Sequence, residues 1–282
     1  MNELTAKKDP LSGAAAMFAR YRRDDAPKPP QWNETLDLIL RHRSYRAFLP
    51  QKLPEGALET IVAAAQSAST SSNLQVWSVV AVEDQERKNR LAELAGGQQH
   101  VRDCALFLVW LSDLARLDRL AERQGREAKA LSYLELFLTG VADAALAAQN
   151  AVTALESLGL GCCYIGAMRN HPEAVVKELN LPPHVFAVFG MVVGVPDPAV
   201  ATDVKPRLGQ GAVLHREQYQ WGEAQIDAIE TLDAKFKDFQ KEQGLPEQGW
   251  IRQVLSRVRG PEAMSGRDRL KEALAALGVG LK

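Results

Sequence analysis

The stretch ALSYLELFLTGVADAALAAQNAVTALESL, residues 130–158, decides the architecture. It holds no proline and a single glycine. Leu134, Phe137, Leu138, Val141, Ala145, Ala148, Val152 and Leu155 recur at the helical period for about eight turns. Its many alanines predict close helix-to-helix packing.

Outward from this helix the pattern alternates. On its C-terminal side, LGLGCCYIGAM (158–168) reads as a glycine-bounded strand and loop, HPEAVVKELNLPP (171–183) as a short helix limited by prolines, and VFAVFGMVVGVP (185–196) as a buried strand. On its N-terminal side, CALFLVWLSD (104–113) and VWSVVAVED (76–84) read as buried strands, with DQERKNRLAELAGG (84–97) between them as a surface helix ended by glycines. LPEGALETIVAAAQSAS (53–69) is an amphipathic helix with Pro54 and Glu55 in its first turn, and Asn33 caps an earlier helix carrying Leu36, Ile39 and Leu40. The order α-α-β-α-β-α-β-α-β predicts a layered protein with a small sheet and much helix. Residues 1–31 read as an appended arm with a charged, proline-bearing connector, residues 32–220 as the main domain, and residues 221–282 as a helical extension.

Composition excludes several classes. In 282 residues, 34 basic side chains balance 35 acidic ones, which argues against a protein whose affinity rests on general phosphate neutralisation, so neither nucleic acid nor a membrane surface is an expected partner. No window reaches the roughly 18 to 20 apolar residues of a membrane span, and no signal-peptide pattern opens the chain, so a cytoplasmic location is expected. Cys104, Cys162 and Cys163 show no metal-ligand spacing, so no metal site is expected.

Several clusters carry chemistry. RHRSYRAF (41–48) follows a helix and offers the cationic side chains of Arg41, Arg43 and Arg46 beside His42 and Ser44, a set suited to an oxyanion; a helix end that favours cations explains it equally well. Lys205 and Arg207 in DVKPRL flank a proline that restricts their geometry, although two charges in a polar loop are more often a solvated surface. SASTSSNLQVW (67–77) sets hydroxyls and amides between a helix and a strand, where capping is the ordinary alternative. GGQQH (96–100) and YIGAMRN (164–170) pair glycine with polar groups at element edges. There is no GxGxxG before a helix, no GxxxxGK[ST] and no GxSxG, so a bound redox cofactor becomes the attractive source of chemistry.

Taken in order and spacing from Glu34 to Tyr219, these five motifs resemble the nitroreductase family of FMN enzymes, and most closely its oxygen-insensitive, NADPH-using group and the related bacterial flavin reductases. The resemblance implies an α+β sandwich, with a central mixed, mainly antiparallel sheet flanked by helices and the long helix at a homodimer interface. It implies FMN as cofactor, with the phosphate and ribityl chain held by His42, Arg43, Ser44 and Tyr45 together with Lys205 and Arg207. Arg46 would face the N1 and O2 edge of the ring, Gln98 and His100 its pyrimidine side, and Tyr164, Ile165, Gly166 and Ala167 would lie along it. Thr70, Ser71 and Ser72 would reach across the dimer. The implied reaction is ping-pong: NADPH or NADH supplies a hydride, and a flat electrophile such as a nitroaromatic, a quinone or free flavin takes two electrons, with no catalytic side chain required. A specialised flavin reductase or dehalogenase of the same family, or a flavin-binding sensor, are the alternatives. The chain departs from its relatives in its N-terminal arm, in Ala167 where a second glycine is common, and in EQGLPEQGWIRQ (242–253), which lacks adjacent arginines for the 2′-phosphate of NADPH.

Overall fold

A computed structural model describes residues 12–23, 26–29 and 31–282. In chain order the helices and strands are α1 (Gly13–Tyr21), α2 (Glu34–Leu40), α3 (Ala57–Gln66), β1 (Trp77–Val82), α4 (Gln85–Leu94), α5 (Gln99–Asp103), β2 (Leu106–Asp113), α6 (Ala115–Arg123), α7 (Leu134–Ser157), β3 (Gly161–Ile165), α8 (Pro172–Leu179), β4 (Val185–Gly194), α9 (Glu223–Glu242), α10 (Trp250–Arg257) and α11 (Leu270–Ala276). The backbone divides into two compact units. One holds the described residues up to Arg43 with Pro198–Ala263; the other is Ser44–Asp197 with Met264–Lys282.

The second unit is built on a sheet of order β1-β2-β4-β3 in which every pairing is antiparallel. β2 sits inside the sheet, and all but its last residue is buried, which is why it reads as an unbroken apolar run rather than an alternation. Its two faces enter two cores. Phe107, Val109 and Leu111 meet Leu91 and Ala92 of α4 and Val175 of α8. Leu106, Leu108 and Trp110 meet Ile61 and Ala65 of α3 and Ala147, Ala148 and Ala151 of α7. The result is a helix–sheet–helix sandwich of the α+β class. Burying each large side chain contributes about 1.5–3 kcal/mol, so β2, which feeds both cores, contributes strongly to cohesion. α11 closes a third core, where Leu274 and Val279 meet Phe186, Val188 and Ala144.

Small residues set the helix-to-sheet spacing. A Cβ added to Gly140 on α7 would collide with the Ser112 hydroxyl and come within 3.3 Å of the Val76 carbonyl oxygen. The cysteines are all buried and free, and burial pushes the Cys104 thiol up to about 12 and the Cys162 thiol upward too.

In the first unit, Leu232, Phe236 and Phe239 of α9 form a small core with Leu208 and Trp250. The arm carries α1, a helix absent from the sequence reading; Ser12 caps it by accepting from the Ala15 amide at 3.3 Å. Nor does the sequence pattern announce α6, in which five charged residues outnumber four apolar ones. Among the described residues no helix is long and apolar enough to cross a membrane.

Gly140→Ala tests the close approach. In an open helix this change stabilises by about 1 kcal/mol. Here overpacking outweighs that gain, and urea unfolding should show a net loss of about 1–3 kcal/mol. A gain in stability would show that the helix can move off the sheet.

Candidate functional site

Within the first unit, α2 ends where the cations begin. Asn33 caps its start, accepting from the Leu36 amide at 2.9 Å, and the Arg41 guanidinium pairs back onto the buried carboxylate of Asp37. Arg41 is therefore the cation of an ordinary helix end, and His42 and Arg43 lie beyond it. The second basic segment comes to the same place through Arg20 of α1, which is buried. Its guanidinium donates to the Leu40 carbonyl at 2.7 Å, the His42 carbonyl at 2.9 Å and the Lys205 carbonyl at 3.1 Å, while its own carbonyl accepts from the Arg207 amide at 3.0 Å. Arg43 donates to the Thr202 carbonyl at 3.5 Å. His42, Arg43, Lys205 and Arg207 thus share one neighbourhood.

Arg207 is exposed, yet the protein around its head group desolvates it and lowers its pKa. Its printed partners are the carbonyls of Lys205 and Pro206, at 3.3 and 3.4 Å, and no carboxylate among the described residues pairs with it. Asp203 nearby is taken by Arg22 at 3.3 Å. A guanidinium held by carbonyls, as Arg207 is, suits a phosphate.

Within the second unit, the segment after Ser44 is laid along the sheet. The Tyr45 amide donates to the Cys162 carbonyl at 2.8 Å, the Leu49 amide to the Val195 carbonyl at 2.9 Å, and the Asp197 amide to the Ala47 carbonyl at 3.1 Å. Glycine is needed where the rings dock: a Cβ on Gly161 would lie 2.6 Å from the Tyr45 ring, and one on Gly194 would lie 2.7 Å from Phe48. This docking projects Arg46 to solvent near His100, whose pKa is lowered first by burial and then by the Arg46 charge. Gln98 precedes α5 and its amide donates to the Ala95 carbonyl at 3.0 Å.

Tyr164 and Ile165 end β3, with Tyr164 edge-on to Phe189 at 5.1 Å, and Gly166 and Ala167 open the short turn that follows. A Cβ on Gly166 would lie 3.4 Å from Arg169 and 3.8 Å from Arg267, so two guanidiniums flank this turn. Arg169 donates to the Val188 carbonyl and Arg267 to the Met264 carbonyl at 2.9 Å; no carboxylate among the described residues pairs with either. Burial, then Arg267, lowers the Arg169 pKa.

The loop of Thr70, Ser71 and Ser72 is fastened to α7 by Asp143. This carboxylate is 2% exposed and accepts from the Thr70 hydroxyl at 2.6 Å, the Ser71 amide at 3.1 Å and the Val76 amide at 3.3 Å. The Thr70 hydroxyl also accepts from the Gln75 amide at 2.9 Å, so it serves the loop, whereas Ser71 and Ser72 are exposed. Ser72, Asn73 and Gln75 all take positive φ, a conformation that costs a side-chain-bearing residue and that the Asp143 bonds stabilise.

Comparison with known proteins shows the family. The sequence model of the nitroreductase family matches residues 39–195, and that of the nitroreductase C-terminal domain matches residues 205–282. The chain belongs to the nitroreductase family. It is 39% identical over 244 residues to FMN reductase (NADPH) of Bacillus subtilis, covering 85% of this chain and 97% of that protein. It is 42% identical over 187 residues to the oxygen-insensitive NADPH nitroreductase of Salmonella typhimurium, covering 66% and 75%. Among solved structures, the NfrA1 nitroreductase of B. subtilis superposes with a TM-score of 0.81 at 37% identity, covering 87% of this chain and 98% of that one. NADPH:FMN oxidoreductase from Vibrio harveyi, complexed with NAD+, does so with a TM-score of 0.77 at 34% identity, again covering 87% and 98%. The resemblance and the α+β sandwich expected from the motifs are both borne out.

Three residues that lie among the candidate-site segments carry no motif that points to them or only a faint one. Arg20 and Arg267 lie in segments with no motif. Asp143 did carry a signal, because it is the only charged residue between Glu135 and Glu156 in a helix otherwise apolar or neutral.

His100 offers a test independent of any ligand. Its folded-state pKa lies below the ordinary 6.5. The folded chain therefore binds fewer protons than the unfolded chain just below that pH, and this group's contribution to stability is complete above 6.5 and lost as pH falls through the folded value. NMR titration should give a midpoint below 6.5. Arg46→Gln should move it only part of the way back, since burial is the larger cause. A midpoint that Arg46→Gln restores fully would mean that charge, not burial, dominates.

Proposed function

We propose that the chain is an FMN-dependent NAD(P)H oxidoreductase that carries out two-electron reduction of nitroaromatics, quinones or flavins, acting as a homodimer. The observation that carries the reading is the convergence of His42 and Arg43 with Lys205 and Arg207 through Arg20, with no carboxylate among the described residues paired to Arg207. The names of the relatives, FMN reductase (NADPH) and oxygen-insensitive NADPH nitroreductase, support the cofactor, the donor and the acceptor classes.

Bound FMN supplies hydride acceptance and two-electron return to an electrophile. The residues present fit it. His42, Arg43, Ser44 and Tyr45 with Lys205 and Arg207 would hold the phosphate and the adjoining ribityl chain. Arg46 would set a positive charge at the pyrimidine edge and raise the ring's affinity for electrons, as opposite charge nearby favours the anionic form. Gln98 and a neutral His100 would offer hydrogen bonds on that side. The backbone from Tyr164 to Ala167 would lie along the ring, where Gly166 keeps the approach open. Water suffices as proton source, so no side chain of this chain is assigned as acid or base.

Ser71 and Ser72, exposed on a loop fixed to α7, would serve the second subunit's site, with Thr70 holding the loop. Exposed Leu134, Leu138 and Leu146 on α7 support burial of that helix against a second copy. The 2′-phosphate of NADPH would be read by Arg169 and Arg267, in place of the arginines missing from residues 242–253.

Two measurements test the reading. Arg43→Ala with Arg207→Ala should give a folded dimer that purifies colourless; stoichiometric yellow flavin in that variant would remove the phosphate assignment. Arg169→Gln with Arg267→Gln should raise KM for NADPH at least roughly tenfold, as expected for lost charge-assisted hydrogen bonds. KM for NADH should change little; an equal rise for both donors would show that the pair does not read the 2′-phosphate.

A further inference from the structure

The arm helix α1 lies before the residues that the family's sequence model matches, which begin at 39. It nonetheless carries the guanidinium on which both basic segments close. The last carbonyls of an α-helix have no partner within it. At the end of α2, the Leu40 carbonyl and, two residues on, the His42 carbonyl both receive Arg20 Nη2, at 2.7 and 2.9 Å. Arg20 Nη1 crosses to the Lys205 carbonyl at 3.1 Å, and the Arg20 carbonyl takes the Arg207 amide at 3.0 Å. Side chain and main chain of one residue therefore grip both ends of the Lys205-Pro206-Arg207 turn, whose proline stiffens it further.

α1 is itself tied down next to this grip. Arg22 pairs with Glu242 of α9 at 2.7 Å and with Asp203 at 3.3 Å, and it lies over the Phe239 ring at 5.4 Å. Segments bearing Arg43, Lys205 and Arg207 repel one another, and a planar fork that binds carbonyls from both is a means of holding them together before an anion arrives. A lysine in its place has one ammonium and could not span the two carbonyl groups in fixed directions.

We propose that Arg20 is a positioning residue for the FMN phosphate, and that the arm is a brace which pre-shapes the phosphate end of the site. The proposal rests on the phosphate assignment under Proposed function. Pre-organisation raises affinity by removing the cost of ordering the site on binding. The effect is confined to the part of the ligand that meets the braced segments, and riboflavin, which lacks the phosphate, should not sense it.

The test compares FMN and riboflavin binding by the full-length chain, stripped of flavin, through fluorescence quenching, alongside circular dichroism and thermal unfolding. The parent should favour FMN over riboflavin strongly. Arg20→Gln should reduce that preference at least roughly tenfold by weakening FMN alone, and Arg22→Gln, which loosens α1 but leaves the grip, should reduce it less. An unchanged preference in Arg20→Gln would overturn the brace while leaving the phosphate assignment intact. A parent with no preference would overturn the assignment itself. If Arg20→Gln does not fold, Arg20→Lys decides: a folded variant with parent-like preference overturns the proposal, and one with reduced preference supports it.

Discussion

A carboxylate at 2% exposure must be satisfied by donors or it destabilises the fold by several kcal/mol, and Asp143 is satisfied by the loop that precedes the sheet. Three donors from Thr70, Ser71 and Val76 converge on it. One negative charge on α7 thereby fixes where β1 begins and holds three residues in left-handed conformations. It also fixes how far the serines stand from the helix. Close approach at Gly140, one turn away on the same helix, makes this geometry attainable.

Arginine plays two different parts in the chain. Arg22, Arg90 and Arg269 are cancelled by carboxylates and serve as surface ties worth little individually. Arg169, Arg207 and Arg267 donate to main-chain carbonyls, and no carboxylate among the described residues pairs with them. A carbonyl fixes a guanidinium's direction without neutralising its charge, so it is the appropriate partner where an anion is to be received. This distinction separates the candidate site from the rest of the surface more clearly than any count of cations does.

The elements were largely legible because their periods are strong. α7 could be read from its apolar repeat, and the four strands from short apolar runs bounded by glycine, proline or aspartate. Strand order could not be read: β2 and β4 are the two interior strands, but nothing in their apolar runs says that they are neighbours. α1 and α6 show no clear face in the sequence for different reasons: four of the nine residues of α1 are alanine, and charged residues outnumber apolar ones in α6. For the site, motif order supplied the basic segments, but their convergence depends on Arg20, a long-range contact that no local pattern encodes. Arg41 showed the limit of the local reading, for it belongs to the helix end through Asp37 while its neighbours belong elsewhere.

The three cysteines lie in the cores, and burial keeps Cys104 and Cys162 protonated far above neutrality. Soft electrophiles, such as quinones and the partly reduced products of nitro compounds, alkylate thiolates rather than thiols. A catalyst that handles such molecules is exposed to attack by its own products. With all three cysteines buried, and Cys104 and Cys162 held as thiols, the cores offer such molecules no exposed thiolate.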